Sequence, residues 1–298
     1  MTAQPGQRGS MLVAVLFLTA LLGVFAAVAA SVLSAAADAS RSFAEGLRAE
    51  EAMRAAIEHV VGRTGGDLSQ ARGVAVVKLA NAEVSVTVRD EGARIDLNRA
   101  PAALLAGLFR QAGVAADVAN AYAARVVDWR DSDDKPSPNG GAERADYRAA
   151  GRIDGPRNGP FLHVAELALV LGIPSRVAAT VAPYVTVASG RDKINPLIAD
   201  PPVLLSIPKI SEERVRDFLQ RRAMPAADSA SLISRLGPVQ DFVSDEGGNT
   251  VRFEGRVRLG PGNERRYEVV VALLGDEQAP YRILAWDANP PDRVRALP

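Results

Sequence analysis

The residues best placed to do chemistry lie between Asp128 and Tyr147, in the run Asp-Trp-Arg-Asp-Ser-Asp-Asp-Lys-Pro-Ser-Pro-Asn-Gly-Gly-Ala-Glu-Arg-Ala-Asp-Tyr. It carries six carboxylates: Asp128, Asp131, Asp133, Asp134, Glu143 and Asp146. Carboxylates at this density in one loop can supply oxygen ligands to calcium, which takes about 6–8 oxygens in flexible geometry, whereas magnesium demands a near-ideal octahedron. The run fails the EF-hand pattern, because Lys135 and Pro136 stand where a ligand and an obligatory Gly would be. A solvated acidic loop in which Asp128 and Asp131 end a helix has the same composition, so residue types alone leave both readings open. Other chemistry is scarce. There is no cysteine, which removes disulfides and thiolate sites, and the two histidines, His59 and His163, are far apart in sequence. No phosphate loop or nucleophile elbow is present, so no motif points to an enzyme.

The elements that position this loop begin with an apolar run. Gly9 to Ala37 contains no charge and follows a leader whose only charge is Arg8. At about 1.5 Å per residue such a run reaches roughly 43 Å as a helix, more than a bilayer core of about 30 Å requires. It reads as a secretory signal cut after Ala35–Ala37, as a plain anchor with Arg8 inside, or as a leader cut where Arg8-Gly9-Ser10-Met11-Leu12-Val13 meets the apolar stretch. Beyond it, Phe43, Leu47, Met53, Ile57, Val60 and Val61 recur at helical spacing up to Gly62, with Asp38, Arg41, Glu45 and Arg48 on the wet face. The apolar face of this stem, at Phe43, Leu47, Met53 and Ile57, packs either on its own domain or on a partner helix.

From Gly73 the period becomes two. Val84, Val86 and Val88 alternate with Glu83, Ser85, Thr87 and Arg89, and Val74 to Leu79 is the hairpin partner. The signature returns at Val251–Glu254, Val257 and Leu259, then at Tyr267, Val269, Val271 and Leu273, across a turn at Gly260-Pro261-Gly262-Asn263. Tyr281 to Trp286 is a third late strand. Between Pro101 and Leu236 short apolar helices separated by Gly and Pro prevail: Ala102 to Gln111, Val118 to Trp129, Val164 to Leu171, Val177 to Val185, and one opening at Ser211-Glu212-Glu213. This is a helical module inserted in a sheet domain, an α+β chain.

Within the module, Ile95-Asp96-Leu97-Asn98-Arg99-Ala100-Pro101 with Leu104 and Leu105 is echoed by Ile194-Asn195-Pro196, Pro201-Pro202, Leu204 and Leu205. Each copy leads from an Asn turn through Pro into a short helix, as in helix-hairpin-helix, or SAM-like, units. The phrase also opens helix-hairpin-helix proteins that hold DNA, so a membrane-tethered periplasmic DNA-uptake protein is the alternative function. Against it, the hairpins at Leu108–Gly113 and Leu205–Ile210 lack the Gly-x-Gly turn that lets backbone approach phosphate. Lys plus Arg and Asp plus Glu both total 35, so phosphate neutralisation is poor and nucleic acid is not an expected partner.

The leader at Arg8-Gly9-Ser10, the Asp-Trp-x-Asp-x-Asp-Asp run followed by Pro, Gly-Gly-Ala-Glu and Tyr, and Asn158-Gly159-Pro160-Phe161 with Val164-Ala165-Glu166-Leu167 and Gly172 together resemble the K-class minor pseudopilins of type II secretion. Ala14, the fifth residue after Gly9, fits that class, which lacks the Glu that most pilin-like subunits carry there. The resemblance implies a leader over 1–9 cut between Gly9 and Ser10 by prepilin peptidase and a transmembrane helix over 10–37. It also implies a discontinuous pilin-like antiparallel domain over 38–94 and 238–298, and a helical insertion over 95–237 with two SAM-like units. It implies a single-pass inner-membrane protein with its C-terminal domain in the periplasm of a Gram-negative bacterium. Its role would be assembly at the pseudopilus tip in support of protein export. Its partners would be the I- and J-class minor pseudopilins, other pseudopilins and the inner-membrane assembly platform. The family binds structural calcium in the insertion, which carries over as Asp131, Asp133, Asp134, Glu143 and Asp146; Asp128 is the weaker candidate because it falls where the helix still runs.

Overall fold

A computed structural model of the chain describes residues 7–64, 73–224, 228–274, 279–288 and 290. Most of the leader lies outside them. Helix α1 (Gln7–Thr64) is followed by β1 (Gly73–Leu79), β2 (Ala82–Asp90), β3 (Ile95–Asp96), α2 (Ala102–Gln111), α3 (Ala116–Arg130) and α4 (Arg144–Ala149). Then come α5 (Ser175–Val181), β4 (Val185–Thr186), α6 (Pro201–Leu205), α7 (Glu212–Arg222), α8 (Ser229–Ser234), β5 (Thr250–Gly260), β6 (Asn263–Leu273) and β7 (Tyr281–Ala288).

No proline interrupts α1, and its Ala and Leu content favours a helix throughout; Gly9 and Ser10 lie in its first turn. Its two halves meet different surroundings. Leu16, Phe17, Leu21, Phe25 and Val32 are exposed all round the first half, which is long and apolar enough to cross a membrane and is a candidate anchor. In the second half Ala49, Ala52, Met53, Ala56, Ile57 and Val60 are buried, the three- and four-residue spacing of one helix face.

That face lies on a five-stranded antiparallel sheet of order β1-β2-β5-β6-β7. Register pairs Val84 with Val257, Val88 with Phe253 and Phe253 with Val269, so one set of alternating residues builds a core with the helix. Met53 and Ile57, offered above as partner contacts, are 0% exposed. They are core residues of their own domain, because they lie on the face of the stem that packs against the sheet. Phe43 and Leu47, lower on the helix, stay exposed.

The chain leaves the sheet after Asp90 and returns at Thr250, where Asp90 pairs with Val251. The insertion is therefore mounted at one end of the sheet, opposite the β1–β2 and β5–β6 turns. It has its own core, from Ile95 to Val243. Val239 and Val243 belong to it, and Ile194 bridges to Val243, so the insertion reaches past the residue 237 drawn from sequence. Parallel pairing of Ile95 with Val185 closes its base. Val164–Leu169 is a 3-10 turn rather than the expected helix, and α5 stops at Val181, where Pro183 enters. The two echoed segments form α2 and α6, which pack together so closely that a Cβ on Gly107 would fall 1.8 Å from the Ser206 carbonyl oxygen.

A buried polar joint connects the two cores. Arg252 on β5 donates to both oxygens of Glu91, at 2.7 and 3.0 Å, and to Glu268; Thr186 of the insertion also donates to Glu91. Burial alone would raise the Glu91 pKa, but the Arg252 guanidinium outweighs it and holds the carboxyl below its usual value. Around this pair, Asp90 accepts from Gly92 and Gly248, and Asn195 donates its N–H to the Gly92 carbonyl.

Two glycine contacts separate rigid from yielding packing. A Cβ on Gly107 meets backbone, whereas one on Gly255 meets the flexible Met53 side chain, 2.3 Å from Sδ. Gly107→Ala is therefore expected to lower thermal stability by on the order of 1–3 kcal/mol or more, with Gly255→Ala costing less. Melting of the two detergent-solubilised variants compares them directly, and equal midpoints would contradict the packing.

Candidate metal centre

Helix α3 ends at Arg130, and the acidic loop begins at its C-cap, Asp131. Asp128, in the last turn, is fully buried. Its Oδ2 accepts from Ala142 N–H at 2.7 Å, and the carboxylate accepts from Ser137 N–H as well. One carboxylate thus ties both arms of the loop back to the helix. Gly141 is required there, since a Cβ would sit 2.2 Å from Asp128 Oδ2 and 2.5 Å from the Ser137 nitrogen. Asn139 and Gly140, both with positive φ, turn the chain sharply before it. Below the loop, Trp129 stacks on Phe161 with ring centroids 5.7 Å apart, and Tyr147 accepts the Leu171 N–H at 3.0 Å.

This folding brings three of the five carried-over acids together. One carboxylate oxygen each from Asp131, Asp133 and Glu143 lie within 4.8 Å of one another. Asp146 is not among them: its Oδ2 accepts the Glu143 N–H at 2.9 Å, at the start of α4. Asp134 stands outside as well, with Oδ1 3.4 Å from the Asn158 amide. Asp128, the weaker candidate on sequence, is committed to backbone donors and supports the loop beside the cluster.

Sequence reasoning missed Asn158. Its amide donates to the Asp133 carbonyl at 3.2 Å, while its Oδ1 is buried without a donor. The Asn158-Gly159 pair was the available signal, since Asn tolerates the positive φ that the structure shows there.

The electrostatics are unbalanced. Glu143 is 2% exposed, and neither of its carboxylate oxygens nor Asp131 Oδ1 has a hydrogen-bond donor. Burial, then Asp128, Asp131, Asp134 and Asp133, push the Glu143 pKa up to about 7. Asp131 is raised too, by burial and by Asp128 and Asp133. Buried anionic oxygens without donors are costly. A hard divalent cation would satisfy the three clustered carboxylates, and carboxylate oxygens are the donors it takes.

Residues 79–190, which contain the whole loop, match the family of type II secretion system (T2SS) protein K. Over that stretch the chain is similar to type II secretion protein K. Its fold is also that of a chain in the crystal structure of the GspK-GspI-GspJ complex from the enterotoxigenic Escherichia coli type 2 secretion system. The two share 19% identity with a TM-score of 0.67, over 85% of this chain and 99% of that one. No curated protein matches in sequence. The match over 79–190 spans β2, the joint at Glu91 and the first half of the insertion, so the acid cluster sits in the part that resembles protein K in sequence.

With chelator present, Glu143 binds its proton more tightly in the folded chain, with a pKa near 7, than in the unfolded chain, near 4.5. Stability is expected to fall as pH rises between these values and to level off above them. Melting midpoints measured across that range check this. In Glu143→Gln the decline should be markedly smaller, and an undiminished decline would place its origin elsewhere.

Proposed function

We propose that the chain is a minor pseudopilin of the protein K class that stands at the tip of the type II secretion pseudopilus, where it initiates or caps assembly and supports protein export. Its role is structural rather than catalytic. The observation that carries the reading is the position of the insertion: a second core of its own, mounted at the end of the sheet away from the candidate membrane helix. In a helical stack each subunit must be covered by the next, and so broad a head resists being covered.

On this reading the chain spans the inner membrane once, with sheet and insertion in the periplasm. Prepilin peptidase cuts between Gly9 and Ser10, and the helix from Ser10 packs among other pseudopilins above the assembly platform. Ala14 supports the tip position, because a terminal subunit has no neighbour above it to receive an acid from that site. The crystal structure that holds GspK with GspI and GspJ supports I- and J-class minor pseudopilins as partners. Phe43 and Leu47, exposed on the stem, are the residues available to them.

Calcium is the cation that the acid cluster fits. Asp131, Asp133 and Glu143 would hold it, with Asn158 Oδ1 close by and Asp134 adding charge. Calcium would neutralise buried carboxylates and so fix the loop between α3 and α4, with no part in a reaction. Millimolar calcium should therefore raise the melting midpoint relative to chelator, more at pH 7.5 than at pH 5. An unchanged midpoint at both pH values would contradict a structural site.

The functional reading is tested by the mass of the mature chain in cells with and without prepilin peptidase. Loss of residues 1–9 only where the peptidase is present is expected, and their retention in both would overturn it.

A further inference from the structure

The sheet ends toward the membrane in two turns, Ala80–Asn81 between β1 and β2 and Pro261–Gly262 between β5 and β6. Their level along the stem can be read from contacts. Gly255 on β5 lies against Met53, while the Arg265 guanidinium lies against Gly46 and reaches the Ser42 carbonyl at 3.4 Å. Asn263 donates to Glu45 at 3.0 Å. The hairpin therefore runs down the stem toward its N-terminal half as it approaches its turn. Asn263 adjoins Gly262, so its bond to Glu45 and that of Arg265 to Ser42 bring the turn level with the Ser42–Glu45 stretch of the stem.

The uncharged run of α1 ends at Ala37, and Asp38 is the first charge beyond it. With Arg8 at the inner interface, the run's length of about 43 Å matches a bilayer with its headgroups, about 40–45 Å. The hairpin turns then stand roughly 10 Å of helix beyond the end of that run, and the usual tilt of a spanning helix, about 20°, brings one side of the head down toward the outer headgroups.

The residues there suit that position. Ala80, Asn81, Pro261 and Gly262 are small, exposed and uncharged. The acids behind them are already paired: Arg258 meets Glu83 at 3.3 Å and Glu264 at 3.7 Å, and Arg41 meets Asp38 at 3.1 Å. Lys78, at the end of β1 beside the first turn, has a stem long enough to carry its ammonium toward lipid phosphates. The insertion leaves from the opposite end of the sheet, a β5 length of about 33 Å away.

We propose that these two turns form a lipid-contacting rim, on which the head rests against the outer headgroups while the subunit is still in the membrane. The contact is continuous with the spanning helix and rests on the membrane-anchor reading of α1. Its strength comes from tethering, since the helix holds the rim at high effective concentration beside the surface, and no net charge is needed.

The natural absence of cysteine makes the test direct. Asn81→Cys, Pro261→Cys and, on the insertion, Glu213→Cys each receive one fluorophore in the full chain. Each is reconstituted in phosphatidylethanolamine–phosphatidylglycerol vesicles that contain lipids with a nitroxide on the headgroup. Flotation first establishes anchoring. Quenching several-fold stronger at positions 81 and 261 than at 213 is expected. Equal, weak quenching at all three in chains that float would overturn the rim while leaving the anchor in place, and chains that fail to float would overturn both.

Discussion

Among the described residues, two hydrophobic cores with no shared buried apolar residue meet at a polar joint centred on a buried ion pair, Arg252 with Glu91. Everything the insertion does depends on that joint. An unpaired charge there would carry a heavy desolvation cost, so each residue is held only while the other is present. The geometry uses the fork of the guanidinium, two hydrogen bonds to one carboxylate and a third to Glu268 on β6. Thr186 brings the β3–β4 base of the insertion to the same carboxylate. Apolar packing at this place would tolerate sliding. A bidentate pair fixes direction, which is the property needed to hold a broad head on a narrow stem.

Below the joint, one continuous helix serves two environments. Its first half is apolar on all sides, as a lipid-facing span must be, and its second half is apolar on one face, as a helix on a sheet must be. Small residues make the second contact close: Ala49, Ala52 and Ala56 face the strands, and Gly255 leaves room for Met53. Above the joint, the acid loop is folded by its own backbone donors to Asp128, and this leaves Glu143 and Asp131 buried without donors. The fold completes the loop's shape without completing its charge balance, and calcium would supply that balance.

Much of this was legible in the sequence because it depends on period. The alternation through Val84, Val86 and Val88 and the turn at Gly260–Asn263 set the strands, and the Asn-to-Pro echo marked α2 and α6. What depends on distance was not legible. Nothing local in Met53 or Ile57 distinguishes a residue facing its own sheet from one facing a partner helix. The same limit applies to the site: six acids in one loop raise a cation site as one reading, but nothing local tells that Asp146 spends an oxygen on the Glu143 N–H. Asn158 enters from a separate loop, and Arg252 lies 161 residues from Glu91 in the chain.

The central claim, that the insertion is held at one fixed angle on the sheet, is tested most directly by a distance across the joint. Spin labels at Glu51→Cys on the stem and Glu213→Cys on α7, in the full chain, report it by pulsed electron resonance. A single narrow distance distribution is the result expected of a joint locked by Arg252 and Glu91. A broad or two-peaked distribution would contradict it.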